Sequence, residues 1–457
     1  MRSQPTPRRV FPFAAMLAIA TAALPATLTA QTFSPGFRKL FANNAAIQTS
    51  PNFGRSVAGN EKWIAIGEPD NDDSGVNAGA VHLFDCRTGR FLRKLNPPPG
   101  SDGIRFGFSL ALSGDRLLVG APSDGSGAAT LFNLANGAEL ARFTPSDGVG
   151  PDFFGTAVAL SGNRALIGAP AGDGTSGGTG AAYAFDTATG GETKIVEPLT
   201  ATGDRYGASV ALEGNTGLIG APNNSSNTGI VFAVDVISGQ RLDFLKSGVT
   251  MAGDSFGDSV AISGRHALIG ASSFNGGFGA AFVFDWTNST ELRQLDLGAD
   301  ALVTDFFGIS VALSGDLALV GAQQASDHGE AYLFDVRGGQ RLATLSPGDL
   351  NGNDSFGVSA TLCGNLAVIG AALDDDAGAF FGSAYVFKNL ATPLSLSKVA
   401  AKGDSAPGVP GATFAGLSEP VIDSFDHVYH AATLTGVPRA RKTGVFNDAS
   451  FGSVSRL

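Results

Sequence analysis

The chain is built from short apolar stretches separated by glycine-containing turns. Residues 154–170 read FGTAVALSGNRALIGAP. Residues 156–160 alternate small and large apolar side chains, the pattern of a strand whose two faces differ. Residues 165–169 form a continuous apolar run, and between the two segments Ser161-Gly162-Asn163 suits a tight turn that needs positive φ. The stretch therefore predicts a buried β-hairpin.

This hairpin recurs seven times at a period of about 50 residues, which indicates a repeat architecture. The copies begin at Phe53, Phe106, Phe154, Tyr206, Phe256, Phe307 and Phe356. Each hairpin is followed by a third strand, such as residues 182–185, and a more polar fourth, such as residues 340–345. Four antiparallel strands repeated seven times predict an all-β fold, a seven-bladed β-propeller over residues 33–397, because a closed ring buries every blade between two neighbours.

Three positions recur in each copy: an aromatic residue, the glycine after it and a glycine in the second strand. We assign structural roles to Phe106, Gly107, Gly120, Phe154, Gly155, Gly168, Tyr206, Gly207, Gly220, Phe256, Gly257, Gly270, Phe307, Gly308, Gly321, Phe356, Gly357 and Gly370. The aromatic is expected to wedge between blades rather than to form a ligand platform, because a shared packing role explains its recurrence. The paired signatures Phe154-Gly155 and Gly168-Ala169-Pro170 resemble the FG-GAP repeats of integrin α-subunit propellers and of many bacterial secreted proteins.

The resemblance departs from the integrin pattern at the hairpin turn. Integrin-type repeats carry a calcium loop of the form DxDxDG, whose spaced carboxylates supply oxygen ligands. Here the turns are short, as in Ser113-Gly114-Asp115 and Glu213-Gly214-Asn215. One carboxylate at most cannot assemble the six or more oxygens that calcium takes. The chain therefore resembles the bacterial type that lacks the calcium loops, and no cofactor is expected.

The first 30 residues have the layout of a secretory signal peptide. Three arginines precede the apolar run of residues 14–24, and small residues end at Ala30. The run is too short for a membrane span, which disfavours the alternative of a retained anchor. We therefore expect cleavage before Gln31 and no membrane insertion of the mature chain. The expected location is secreted, extracellular or at the cell surface, with the periplasm as the alternative.

Both ends of the predicted propeller offer a strand that could close the ring. Residues 36–40 resemble the fourth strand of later copies and could complete the seventh blade, which is the favoured interpretation. Alternatively, residues 394–399 fill that place. Residues 398–457 resemble a bacterial tandem-repeat motif with GDxAPG, here Gly403-Asp404 and Ala406-Pro407-Gly408. This C-terminal β extension, with one or two expected strands, either packs on the propeller or is a truncated second repeat domain.

The chain is acidic, with a formal net charge of −11. Such a chain is repelled by nucleic acid and by anionic lipid, so neither is an expected partner, and we expect a monomer. Cys86 and Cys363 fall in the first and seventh units, which are neighbours in a closed ring. One of their turns is expected near the axis and the other at the periphery. Two free thiols are therefore favoured over a disulfide.

Acidic residues collect in loops that emerge on one face of the predicted disc, which we name the FG face. It carries the loops after each second strand and the loops that enter each first strand. Two clusters are weak candidates for a cation site, although solvated loops are the favoured interpretation: Asp70, Asp72 and Asp73, and Asp374, Asp375 and Asp376. A recurring set is expected to cap backbone N–H groups: Asp152, Asp204, Asp254, Asp305 and Asp354. The FG face is accordingly expected to be acidic.

Two classes of function fit these features. The first is a binding or adhesion scaffold whose loops on one propeller face hold a protein or glycan partner. The alternative is a propeller enzyme or enzyme accessory domain, a hydrolase or lyase, since fold alone does not settle function. The inner strands contain no recurring His, Arg or Glu that would converge at the ring centre. This favours binding without catalysis.

Overall fold

The structure, a computed structural model, is a ring of seven four-stranded antiparallel sheets. It describes residues 37–42, 52–174, 177–376, 381–388 and 390, together with the backbone of four strands between residues 413 and 447. The predicted fold class, a seven-bladed β-propeller with a C-terminal β extension, is confirmed. The predicted signal peptide, the alternative closing strand at residues 394–399 and the GDxAPG-like segment lie outside the described residues.

Each blade is a meander whose strands run in order from the ring axis outward. The strands are, in blade 1, β2 Ser56–Gly59, β3 Trp63–Glu68, β4 Ala80–Asp85 and β5 Phe91–Leu95; in blade 2, β6 Ser109–Ser113, β7 Arg116–Ala121, β8 Ala128–Asn133 and β9 Ala138–Phe143; in blade 3, β10 Ala157–Ser161, β11 Arg164–Ala169, β12 Ala181–Asp186 and β13 Glu192–Ile195; in blade 4, β14 Ser209–Glu213, β15 Thr216–Ala221, β16 Ile230–Asp235 and β17 Arg241–Leu245. They continue, in blade 5, with β18 Ser259–Ser263, β19 His266–Ala271, β20 Ala280–Asp285 and β21 Thr290–Leu295; in blade 6, with β22 Phe307–Ser314, β23 Leu317–Ala322, β24 Glu330–Asp335 and β25 Arg341–Leu345; in blade 7, with β26 Phe356–Cys363, β27 Leu366–Ala371, β28 Ser383–Phe387 and, outermost, β1 Phe37–Leu40. Short helical turns span Asn224–Asn227, Phe274–Gly277, Gly298–Asp300 and Ala325–Asp327.

The hydrophobic core is divided among the spaces between neighbouring blades. The second and third strands of each blade are covered on both faces, so they are continuous apolar runs such as β11. The recurring aromatic is at most 3% exposed in every blade. Phe154, for example, packs its ring on Tyr183 of its own blade and joins a cluster that includes Leu118 and Leu131 of blade 2. The predicted wedge role of the aromatic is therefore confirmed.

The ring is closed by the strand that precedes blade 1. Strand β1 pairs with β28 in antiparallel register, with Leu40 opposite Ala384 and Phe37 opposite Phe387. This confirms the favoured prediction that the early strand completes the seventh blade. The seam between blades 7 and 1 also repeats the bonds found at other junctions, since the Phe53 N–H donates to the Phe381 carbonyl oxygen.

The two recurring glycines are explained by one close contact at every blade junction. The carbonyl oxygen of the glycine after each aromatic lies against the Cα of the second-strand glycine of the preceding blade. At the junction of blades 3 and 4, for example, a Cβ built on Gly168 would lie under 3.0 Å from the carbonyl oxygen of Gly207. Any side chain would therefore separate the inner edges of the two blades.

A serine at the start of the inner strand adds a hydrogen bond at six of the seven junctions. Its Oγ donates to the carbonyl oxygen of the same glycine of the next blade, at 2.6 to 2.8 Å. The donors are Ser56, Ser109, Ser209, Ser259, Ser310 and Ser359. Blade 3 has Ala157 at this position. We name this contact the serine latch.

We predict that Ala157→Ser stabilises the propeller, because it restores the serine latch to the Gly207 carbonyl oxygen. A net intramolecular hydrogen bond contributes about 1 kcal/mol to the free energy of unfolding. The measurement is the urea midpoint of this variant against wild type. Ser209→Ala, which removes the equivalent bond in blade 4, should lower the midpoint by a similar amount. An Ala157→Ser protein that is no more stable than wild type would contradict the prediction.

The C-terminal extension contains more strands than the sequence indicated. Four strands are described: β29 Thr413–Leu417, β30 Val421–Ile422, β31 Val428–Thr435 and β32 Thr443–Asn447. The long strand β31 pairs with all three others. The expectation of one or two strands is therefore wrong, because the polar spacing of the other segments concealed their pairing with β31. Among the described helical turns, none is long and apolar enough to cross a membrane.

Candidate functional site

The recurring aspartates are buried parts of the scaffold. They are 2 to 7% exposed, and each accepts a backbone N–H from the residue three positions earlier, at 2.6 to 3.2 Å. The set comprises Asp152, Asp204, Asp254, Asp305 and Asp354. The predicted capping role is confirmed, and these carboxylates add little to the exposed surface of the FG face.

Burial shifts the pKa of the Asp354 carboxyl group. It raises the pKa of this carboxyl to about 6, with the carboxylates of Asp374 and Asp375 acting in the same direction and the N–H of Asn351 opposing. The folded pKa lies above the ordinary value of 3.8. The folded state therefore holds this proton to higher pH than the unfolded chain does. Its contribution to stability is fully present below pH 3.8, is lost as pH rises to about 6, and is constant above that.

We expect Asp354→Asn to flatten the pH dependence of stability. Asparagine can still accept the Asn351 N–H but does not titrate, so the fall in unfolding free energy between pH 4.5 and 7.5 should shrink by about 2 kcal/mol. Urea unfolding at both pH values measures this. Asp300→Asn is the control, because that side chain is largely exposed. Identical pH profiles for wild type and Asp354→Asn would refute the assignment.

The two acidic clusters are held by lysines at equivalent positions on the outer strands. Lys39 of β1 lies 2.8 Å from Asp374, 2.5 Å from Asp376 and 3.2 Å from Asp349, each measured from Nζ to a carboxylate oxygen. Lys94 of β5 binds Asp73 in the same way. Burial alone raises the pKa of Asp374, but hydrogen bonds from Lys39, Ser383 and Tyr385 bring it below its usual value.

The other two aspartates of the first cluster also accept hydrogen bonds from groups of the chain. Asp70 accepts two hydrogen bonds from Arg105, at 2.9 and 3.2 Å. Asp72 accepts the backbone N–H of Asn77. Among the described residues, no three His, Cys, Asp or Glu side chains are arranged to hold a metal ion. Several carboxylates that the sequence analysis proposed as ligands of a metal cation are therefore paired with lysine or arginine side chains of the chain itself.

Cys86 and Cys363 are free thiols that lie together at the seam between blades 7 and 1. The expectation that one lies near the axis and the other at the periphery is wrong. The Cys86 N–H donates to the carbonyl oxygen of Lys62 at 3.1 Å, which folds the residue after β4 back over the first turn of the blade. Both thiols are buried. A hydrogen bond from Cys363 lowers the pKa of Cys86, whereas the Cys86 thiol and burial raise that of Cys363.

The mouth of the ring channel on the FG face is surrounded by residues that differ from blade to blade. In every blade the residue immediately before the recurring aromatic has a left-handed backbone, with φ between 53° and 60°. These residues are Asn52, Arg105, Phe153, Arg205, Ser255, Phe306 and Ser355. A non-glycine residue in this region is strained, and such strain concentrates at functional sites. We name this set the display ring.

Arginine and phenylalanine side chains of blades 1 and 2 interleave at this mouth. The guanidinium carbons of Arg55 and Arg105 lie 5.1 and 5.4 Å from the ring centre of Phe108, within the range of cation–π attraction. The acidic FG face expected from sequence is therefore not found at the channel mouth. The recurring aspartates are buried beneath it, and arginines of three blades line it.

Two adjoining cavities open at this mouth. The first, which we name the FG cleft, has a volume of about 430 Å³ and lies among loops of blades 2, 3 and 4. Arg105, Arg205, Phe108 and Phe153 contribute to its lining, with Pro122 and Pro170 of the GAP signature. The second is the channel itself, about 540 Å³, lined by the inner strands. Phe108, Thr156 and Arg205 line both.

Sequence reasoning missed the display ring, although a signal was present. The aspartate two residues before the aromatic is the more conspicuous signal, because it recurs in five of the seven copies. The intervening position varies, with Arg in two copies and Phe in two. A variable residue directly before a recurring structural aromatic is where a repeat scaffold can present different side chains at equivalent places.

Five stretches of the chain match the family model described as FG-GAP repeat: residues 37–84, 90–132, 138–185, 297–334 and 340–387. All five end within a third strand, and four begin within one residue of an outer strand, so in those four the family unit runs from the outer strand of one blade through the first three strands of the next. The chain is an FG-GAP repeat protein. The FG-GAP units that begin at Tyr206 and Phe256 lie outside these matches, yet blades 4 and 5 have the same four strands. No curated protein matches the chain.

Proposed function

We propose that this FG-GAP propeller is a binding protein, secreted or displayed at the cell surface, that presents the FG face to a protein or glycan partner. The observation on which the proposal rests is the display ring. The recurring residues of each unit are used in joining blades, whereas the left-handed position varies among the blades, and Arg105, Phe153 and Arg205 of this set line the FG cleft. Concave clefts with apolar walls and a few polar groups are typical ligand sites. Adhesion would follow if the partner is fixed to a surface.

The residues of the two cavities favour binding over catalysis. Among the described residues that line them, Asp258 is the only carboxylate, and neither His nor Cys is present. Glycoside hydrolysis generally uses a pair of carboxyl groups, and proton abstraction needs a base within hydrogen-bond reach of the substrate. Burial raises the pKa of Asp258, and a hydrogen bond from Ser272 at 2.5 Å opposes this shift.

The test is binding of the purified full-length chain to arrays of neutral glycans, acidic glycans and extracellular proteins. Phe153→Ala is the test variant, because that ring lines the FG cleft and is 42% exposed. Leu242→Ala on β17 is the matched control, since its side chain is 52% exposed on an outer strand. We expect a retained ligand class whose binding Phe153→Ala weakens at least tenfold and Leu242→Ala leaves unchanged. Binding to none of the probes, or equal binding by both variants, contradicts the proposal.

The same arrays distinguish the enzymatic alternative. The soluble fraction over each glycan spot is analysed by mass spectrometry after incubation. Shortened or unsaturated fragments that appear with wild type and not with the heat-unfolded protein would favour a hydrolase or lyase. The binding proposal expects no such fragments.

A further inference from the structure

The charge at the mouth of the channel is opposite in sign to that of the whole chain. The described residues lining the FG cleft and the channel include three arginines, Arg55, Arg105 and Arg205, and one carboxylate, Asp258. Basic residues are outnumbered by acidic residues in the chain as a whole, which has 41 Asp and Glu against 30 Lys and Arg. A concave site lined by one sign of charge concentrates counter-ions of the other sign.

The three guanidiniums are neutralised to different degrees. Arg105 is bound by Asp70 through two hydrogen bonds, and Arg205 lies close enough to Asp258 to influence its titration. Arg55 has neither a hydrogen bond nor an ion pair from its side chain to a described residue, and its partners are the ring of Phe108 and the field of Asp70. Burial, followed by repulsion from Arg105, lowers the pKa of Arg55. Arg55 lines the channel beside the FG cleft, so an anion at the place where the two cavities meet would relieve this unfavourable environment.

The walls of the FG cleft suit a ring-shaped ligand rather than a bare ion. Phe108 and Phe153 contribute aromatic side chains to the wall, and Pro122 and Pro170 contribute apolar rings. Arginine offers a planar fork that matches a carboxylate in two hydrogen bonds. An inorganic anion would use the arginines and leave the aromatic surface unused. The two prolines have no N–H to donate to the carbonyl groups of a bound peptide.

We propose that the FG cleft binds a uronic acid residue of an acidic glycan, with the carboxylate held by the arginines and the sugar ring stacked on the aromatic wall. This inference rests on the proposed binding function and specifies its ligand. Arg205 is the main candidate for the carboxylate contact, because it is exposed and lines both cavities. Phe153 is the candidate for stacking, since its ring is exposed in the cleft.

The experiment is isothermal titration of the full-length chain with a galacturonate oligosaccharide in low salt. The matched ligand is the same oligosaccharide after reduction of its carboxylates to hydroxymethyl groups. Arg205→Gln is the test variant and Arg337→Gln the control, because Arg337 is exposed in a turn after β24 and its side chain pairs with Asp316 at the surface. We expect binding of the galacturonate, at least tenfold weaker binding of the reduced form and of Arg205→Gln, and no change for Arg337→Gln. Thermal unfolding of each variant verifies that it is folded.

Several other results of this titration would contradict the inference. Equal affinity for the galacturonate and its reduced form, or no effect of Arg205→Gln, overturns the inference. Full competition by sodium sulfate at the concentration of the oligosaccharide also overturns it, because the site would then hold any small anion. If the arrays reveal a neutral glycan or a protein that depends on Phe153 while the galacturonate does not bind, the inference fails and the proposed binding function stands.

Discussion

Replacing Gly168 by alanine should destabilise the propeller by about 3 kcal/mol, the upper part of the range for overpacking a well-packed interior. The new methyl group would meet the backbone of Gly207 at under 3.0 Å. Gly168 is held in the β11 ladder, and the Gly207 N–H donates to the Gly220 carbonyl oxygen at 3.0 Å. Neither can move without separating blades 3 and 4. The urea midpoint of the variant measures the loss.

Gly248→Ala is the matched control for this experiment. A Cβ at Gly248 has no heavy atom within 4 Å, and its backbone is not left-handed. The same chemical change should therefore alter the unfolding free energy by less than about 0.5 kcal/mol. A similar loss in both variants would show that glycine flexibility, and not the close approach of blades, determines the effect.

We expect Lys39→Met to cost about 3 kcal/mol at pH 7, within the range for breaking a buried ion pair. The substitution leaves Asp374, which is 1% exposed, without the ammonium group that lies 2.8 Å away. The hydrogen bonds from Ser383 and Tyr385 remain but do not neutralise the charge. Because Lys39 is on the closing strand β1, the loss should be localised at the outer edge of blade 7, where β1 pairs with β28. Hydrogen exchange of β28 amides would detect this.

Lys62→Met is the control for the ion pair. Lys62 and Asp115 are 60% and 49% exposed, so the pair should contribute less than about 1 kcal/mol. A further check uses pH. The depressed pKa of Asp374 makes its contribution in wild type present above the unfolded pKa and lost as pH falls through the folded pKa. In Lys39→Met the carboxyl should protonate more readily, so the deficit should shrink between pH 7 and 4.5. A deficit that is constant with pH would argue against a charge effect.

The repeat made most of the fold predictable from sequence. Strand periodicity at residues 154–170, together with the recurrence of Gly168 and its equivalents, was sufficient to predict the blades, because the same contacts recur between every pair of neighbouring blades. The closing strand was predicted for the same reason, since residues 36–40 share the pattern of later outer strands. The positions of Cys86 and Cys363 were not predictable, because they depend on a backbone bond that folds one turn over another.

The candidate site was predicted less well than the fold. Sequence identified Asp70 and Asp374 as exposed acidic groups, but their partners Arg105 and Lys39 are 35 and 335 residues away in the chain. A count of charges along the sequence cannot show that these carboxylates are paired with basic residues from distant parts of the chain. The arginines at the channel mouth were missed because they come from blades 1, 2 and 4 and have no common spacing. Only ring closure brings them together.

The pairing of β1 with blade 7 has a kinetic consequence. The seam joins residues about 300 apart, as in the bond from Ser359 to Gly54, whereas the other junctions join units about 50 apart. Loop-closure entropy grows only with the logarithm of length, so closing the ring costs about 1.5 kcal/mol more than adding one blade. The seam is thus nearly as easy to form as any junction, but it must form last. Blades can stack in sequence order as they fold, and the reverse reaction should begin by peeling β1 from β28.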